Sequence, residues 1–281
     1  MENQALNLCV SAPGVRSGAT VLAVTSGKGG VGKTNIAANL ALCLAAMNRR
    51  VLLWDADLSL ANLDLVMDVH SQYNISHVVS GRKSMEEIVQ TGPYGLRIIC
   101  GASGLDRLAD LTEGEQHRLI ESLCRLQHEA DTILIDTAAG ISRSVIGFCL
   151  AADRVLVVTT PEATAMADSY GMIKVLVRKR YAGSISLVVN MARNEAEGKQ
   201  TYQRIAGVAQ RFLQVNLYYA GTLLKDERLC AAVRARTPVV LAYPKASIST
   251  SLAALATRLE GTRRWDDQNH SFFRRVIRWL N

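Results

Sequence analysis

The sequence predicts an α/β protein built on a doubly wound, mostly parallel sheet, and three observations carry that reading. Short β-branched runs alternate with longer helix-period segments from Thr20 to about residue 260. The runs are apolar nearly throughout instead of alternating, as strands are when helices cover both faces of a sheet. A glycine-rich turn joins the first run to the first helix, which is the connection that such sheets place at a ligand crevice. With 281 residues and 49% hydrophobic content, the chain is long enough to bury one large core. It divides into a polar extension over 1–18, an α/β domain over 19–260, and a linker with an amphipathic helix over 261–281.

Taken in order, the extension ends in Ser11-Ala12-Pro13-Gly14, a breaker after a short helix expected from about Gln4 to Cys9. Strands are expected at 21–26, 51–55, 96–100, 132–136, 154–160, 186–191 and 217–223. Helices are expected near 34–47, 84–90, 113–129, 142–151, 164–180, 195–213, 226–235 and 247–260. Ser84 followed by Glu87 fits a capping box at the start of one of them.

The turn after the first strand reads Gly27-Lys28-Gly29-Gly30-Val31-Gly32-Lys33-Thr34, which fits G-x-x-x-x-G-K-[ST]. In that pattern the backbone N–H groups of Gly27, Gly29, Gly30, Val31 and Gly32 close on phosphate oxygens. The helix that follows, beginning near Thr34 and Asn35, turns its positive end toward them. Lys33 would neutralise the β and γ phosphates, and the Thr34 hydroxyl would hold Mg²⁺. The second strand ends in Asp55, followed by Asp57, and carboxylates at a strand's C-terminal end face the same crevice. The fourth strand places four residues, Thr132 to Ile135, before Asp136, and then Thr137-Ala138-Ala139-Gly140. That matches a Walker B element, whose carboxylate holds a Mg²⁺-bound water. No guanine-reading N/TKxD follows a strand, so ATP is the expected nucleotide.

Composition bounds the rest. The six cysteines form no CxxC pair and the five histidines do not cluster with them, so neither a disulfide framework nor an iron–sulfur site is expected. No apolar run approaches the roughly 20 residues of a membrane span, and a cytoplasmic protein is expected. The net charge is +7, and residues 263–281 hold five arginines against two aspartates, so the excess is expected to gather in the tail. On a helical wheel Phe272, Phe273, Val276, Ile277, Trp279 and Leu280 fall within about 160° of arc, with Arg274, Arg275 and Arg278 opposite. Such a helix suits the headgroup plane of an anionic membrane, on the inner face of the cell membrane, with docking of its apolar face on the domain as the alternative; the polar tether at 263–269 and the all-Arg polar face favour lipid.

With Lys28 the loop becomes KGGVGKT, and in this form it resembles the deviant phosphate loop of the ParA/MinD group of ATPases. The resemblance implies that Lys28 reaches a partner subunit's phosphates, making an ATP-bound homodimer. It implies that Asp57 orients the attacking water, that Asp55 supports the Mg²⁺ shell, and that Gly140 donates its N–H to the γ-phosphate. Catalysis would then rest on Lys28, Lys33 and Asp57. Asn190, ending Val188-Val189-Asn190, and Asp226, ending Gly221-Thr222-Leu223-Leu224-Lys225-Asp226, fall where the family contacts adenine, although Leu224 replaces the family's proline. Glu162, in Pro161-Glu162-Ala163-Thr164, falls near the family's dimer seam.

Within the group, KGGVGKTN, DADLSLANLD, DTAAG and the amphipathic tail look most like the FlhG (FleN) branch, which regulates flagellar number and placement. That likeness implies an FlhF-type GTPase and a flagellar transcription regulator or switch-complex protein as partners, and no specific nucleic acid. Asn3-Gln4-Ala5-Leu6-Asn7-Leu8-Cys9 resembles the branch's DQAxxLR segment at Gln4, Ala5 and Leu8 only. MinD-type division-site positioning and ParA-type DNA partitioning remain alternatives, the latter with Arg178, Lys179 and Arg180 as its basic patch.

Overall fold

A computed structural model describes residues 18–57, 63–69, 71–101, 122–123, 125–261 and 272. The sheet strands are β1 (Thr20–Ser26), β2 (Val51–Ala56), β3 (Gln90–Thr91), β4 (Arg97–Ile99), β5 (Thr132–Ala139), β6 (Arg154–Thr159), β7 (Ser184–Ala192) and β8 (Tyr218–Leu224). They lie in the order β3-β4-β2-β5-β1-β6-β7-β8, parallel except for the β3–β4 pair. All seven strands expected from the sequence are present. β3 is the addition, two residues long and without the apolar run that marks a covered strand.

Between the strands lie α1 (Lys33–Ala46), α2 (Leu63–Met67), α3 (Ile75–Val79), α4 (Met85–Ile88), α5 (125–129), α6 (Arg143–Ala151), α7 (Ala163–Arg178), α8 (Glu195–Leu213), α9 (Glu227–Arg234), α10 (Val239–Ala242) and α11 (Ser247–Gly261). Ser84 and Glu87 form the expected capping box at α4. The short helices α2, α3 and α10 were not expected. Each is one turn or little more, below the length at which a 3.6-residue period can be read.

Alternation along the strands divides the core between the two faces. Val21, Ala23, Leu52 and Trp54 face a layer of α6, α7 and α8, whereas Leu22, Val24, Val51 and Leu53 face α1 and α11. Trp54 meets Phe148 of α6 edge-on at 5.6 Å, fixing that helix over β2. At the β8 edge the register slips by one residue against β7, and Arg258 of α11 donates to the Ala220 carbonyl at 2.6 Å, covering an acceptor the slip exposes.

Central β1 has β5 on one side and β6 on the other. The chain leaves β1 through α1 toward β2, and leaves β6 through α7 toward β7, in the opposite direction. The C-terminal tip of β1 is therefore the point where strand order reverses, and the glycine-rich turn sits there.

Candidate active site

The loop from Gly27 to Gly32 delivers its backbone directly into α1. Gly32 is the N-cap residue of α1 at φ 88°, and Gly30 has φ 80°, so the turn needs two left-handed positions that glycine adopts freely. Gly27 is required for a different reason: a Cβ there would run into the backbone of Asp168 on α7. Lys33, Thr34 and Asn35 form the first turn of α1, with no acidic residue to neutralise its positive end.

Two buried carboxylates face this loop. Asp55 and Asp136 are direct neighbours in the β2–β5 register, and both are 1% exposed. Asp55 accepts the Asp57 N–H at 3.0 Å and the Leu63 N–H at 3.1 Å. Burial, and then repulsion from Asp136, push its pKa up to about 7. Burial raises Asp136 as well, against the pull of the Lys33 ammonium 3.6 Å away and a hydrogen bond with Thr34. Asp136 Oδ1 is buried without a hydrogen-bond partner. Two neighbouring buried carboxylates, one of them hydrogen-bonded with Thr34 and keeping an orphaned oxygen, are a donor set suited to a hard divalent cation. Among the described residues no group of three His, Cys, Asp or Glu could cage a metal. Mg²⁺ fits such a site, since it uses one or two carboxylates and takes its other ligands from phosphate and water.

The structure also holds the expected residues in contacts that the sequence did not announce. Lys28 points along the surface, donating to Glu162 Oε2 at 2.8 Å and Thr164 Oγ1 at 3.0 Å at the start of α7. The Gly140 N–H, expected to serve a γ-phosphate, donates here to the Ser26 carbonyl at 2.9 Å. Asn190 is buried, and its amide donates to the Val31 carbonyl at 2.8 Å, bracing the phosphate loop from β7. Asp226 caps α9 through Arg228 N–H at 2.8 Å and also accepts from Ile248 N–H at 3.4 Å, so both of its oxygens serve backbone. Asp57 lies at the end of the described part of its loop, and residues 58–62 fall outside it.

Sequence reasoning missed Ser26, which ties two loops together: its hydroxyl donates to the Lys28 carbonyl at 2.9 Å while its own carbonyl holds Gly140. A lone serine ending a strand carries no signal of this. Of the tail residues, Phe273, Val276, Ile277, Trp279 and Leu280 lie outside the described residues, as do the N-terminal helix and the DQAxxLR-like segment. Phe272, expected on a membrane-facing arc, is instead wholly buried in the core cluster of the α6–α8 face. An aromatic ring near an apolar cluster is removed from water there as effectively as in lipid.

A strand, a glycine-rich phosphate loop opening a helix, and a buried aspartate on the next strand define a P-loop nucleotide hydrolase. The sequence profile described as ParA: NUBPL iron-transfer P-loop NTPase matches residues 18–260. The chain is 38% identical over 240 residues to "Antiactivator FleN" of Pseudomonas aeruginosa, covering 85% of this chain and 86% of that protein. It is 34% identical over 266 residues to "Flagellum site-determining protein YlxH" of Helicobacter pylori, covering 92% and 90%. Among solved structures it resembles "MinC:MinD cell division protein complex, Aquifex aeolicus", with a TM-score of 0.71 and 26% identity over 88% of this chain and 98% of that one. The chain belongs to the ParA family of P-loop NTPases, in its MinD-like part, and is an ATP-hydrolysing enzyme.

Proposed function

We propose that this ATPase is a dimerising, membrane-cycling switch that regulates flagellar number and placement. The observation that carries the switch is Lys28, which lies outside its own phosphate cradle, 39% exposed, where a second subunit could exchange Glu162 for phosphate. Likeness to an antiactivator and a flagellum site-determining protein, each over 85% or more of the chain, supports the flagellar role.

In this reading Lys33 and the α1 N-terminus hold the phosphates, Thr34 and Asp136 hold Mg²⁺ with Asp55 behind them, and Asp57 aligns the attacking water. Mg²⁺, when bound, neutralises phosphate charge and removes the repulsion between Asp55 and Asp136. Gly140 leaves Ser26 for the γ-phosphate, and that exchange links the β5 turn to hydrolysis. Asn190 and Asp226 border the base. The tail helix attaches to anionic lipid through Phe272, Phe273, Val276, Ile277, Trp279 and Leu280. Attachment requires Phe272 to leave the core, and two tails on one dimer bind together far better than one. An FlhF-type GTPase and a flagellar transcription regulator or switch-complex protein are the proposed partners.

The test is to count flagella in cells whose own copy is deleted and replaced by wild type or Lys33→Ala. Restored number and placement with wild type alone is the expected result. Normal flagella in the deletion, together with misplaced division septa, would transfer the protein to MinD-type positioning.

A further inference from the structure

A cavity of about 340 Å³ lies at the end of the sheet opposite the phosphate loop, where the chain enters β2 and β4 and leaves α5. Helix α1 runs from the loop to this cavity over 14 residues, so about 21 Å of helix separates the two sites. A volume of this order is typical of sites that take a small organic molecule. Its floor is apolar and made of small side chains, with Ala45 of α1, Val51 of β2 and Ala130 all buried.

The rim carries Arg49, Arg50 and Arg97 against one lining carboxylate, Glu129, so the wall is net positive. Each guanidinium is fixed by an acid: Arg49 by Glu260 at 2.8 Å, Arg50 by Asp131 at 2.7 Å and Arg97 by Glu129 at 2.8 Å. These pairs occupy one Nη of Arg49, one Nη of Arg97, and the Nε and one Nη of Arg50. Every fork therefore keeps N–H groups with no other partner among the described residues, and it is oriented before any ligand arrives. Tyr94 stands on the same rim, 62% exposed. Its turn is braced by the Gly92 N–H on the Leu96 carbonyl at 2.7 Å and the Leu96 N–H on the Pro93 carbonyl at 3.1 Å. At φ 57° Tyr94 holds a left-handed backbone that bulky residues seldom adopt, and the turn keeps its ring in solvent at the cavity edge.

Helix α11 ends beside this cavity. Its Glu260 pairs with Arg49 of the rim, and Arg154, the first residue of β6, donates to the Leu259 carbonyl at 2.6 Å. The last turn of α11 is thereby fastened to the base of the sheet. The tail follows Gly261 in the sequence and opens with Arg263 and Arg264.

We infer that this cavity binds a phosphodiester, supplied by the headgroup of an anionic phospholipid. Guanidinium forks match the oxygens of a phosphate in geometry and charge. A diester carries one negative charge, which suits a wall where Glu129 would oppose the several charges of a nucleotide. Inorganic phosphate would leave the apolar floor bare, whereas a diester brings carbon on both sides of the phosphorus. Tyr94 is placed as tyrosines are at the headgroup level of a bilayer. The lipid source rests on the membrane attachment proposed above, and the phosphodiester chemistry does not.

The test is calorimetric titration of the full chain, saturated with Mg²⁺ and ADP, with dihexanoyl phosphatidylglycerol below its micelle concentration. One site is expected, weakened at least tenfold in Arg50→Ala/Arg97→Ala and at least threefold in Tyr94→Ala, with ADP affinity unchanged in each variant. Inorganic phosphate should bind at least tenfold more weakly than the lipid. Flotation with phosphatidylglycerol vesicles then separates the sources: weaker capture of Arg50→Ala/Arg97→Ala than of wild type assigns the site to the headgroup. A wild type that ignores vesicles yet binds glycerophosphoglycerol through the same arginines leaves the cavity standing with a soluble diester as its ligand, and the membrane attachment fails instead. Absence of calorimetric binding, or binding equal in wild type and both cavity variants, overturns the inference even where vesicles are captured, because the tail alone then accounts for capture.

Discussion

Asp55→Asn reads the electrostatics of the active site without touching the loop itself. The Asp55 carboxyl is buried beside Asp136, and its pKa stands at about 7 against an ordinary 3.8. The folded protein therefore holds that proton more tightly than the unfolded chain does. The stabilisation from protonated Asp55 is complete below the unfolded value and is lost as pH rises through about 7. At about 1.4 kcal/mol per unit, the loss between pH 5 and pH 8 is about 3 kcal/mol. Asparagine gives up one of the two backbone hydrogen bonds from Asp57 and Leu63, because its amide nitrogen cannot accept; that costs about 1 kcal/mol at every pH. Urea unfolding of the protein in EDTA, without nucleotide, at pH 5 and pH 8 measures both effects. Wild type should lose about 3 kcal/mol more than Asp55→Asn between the two pH values, and Mg²⁺ with ATP should abolish the difference. Parallel pH dependences for the two proteins would refute the account of Asp55.

Two further outcomes test the loop and the chemistry. Gly27→Ala places a methyl group against the Asp168 backbone of α7, so loop or helix must move; affinity for a fluorescent ATP analogue should fall at least tenfold with little change in the circular dichroism of the fold. Asp57→Ala should bind ATP and turn it over at least a hundredfold more slowly, whereas Lys33→Ala should lose binding itself, as equilibrium binding and phosphate release would show. Normal hydrolysis by Asp57→Ala would remove Asp57 from the reaction.

The sequence made legible what depends on local pattern. Val21 to Ser26 followed by the glycine turn gave the strand, loop and helix of the site, and four residues before Asp136 gave the carboxylate opposite. The register of Asp55 with Asp136 was not legible, because β2 and β5 are about 80 residues apart and only the sheet makes them neighbours. Gly140, Asn190 and Asp226 were placed by resemblance to bound nucleotide, and the structure shows each of them engaged with backbone instead. A motif gives the partner at work, and the fold gives the partner held meanwhile. Phe272 illustrates the limit of a helical wheel: an apolar arc has the same pattern whether it meets lipid or its own core.

The central claim is that ATP joins two chains through Lys28. Sedimentation velocity on Asp57→Ala with Mg²⁺ and either ATP or ADP, repeated with Lys28→Ala added, tests it most directly. The account predicts a doubling of mass in ATP alone, and its loss when Lys28 is removed. A monomer in both nucleotides, or a dimer that forms equally well without Lys28, would contradict it.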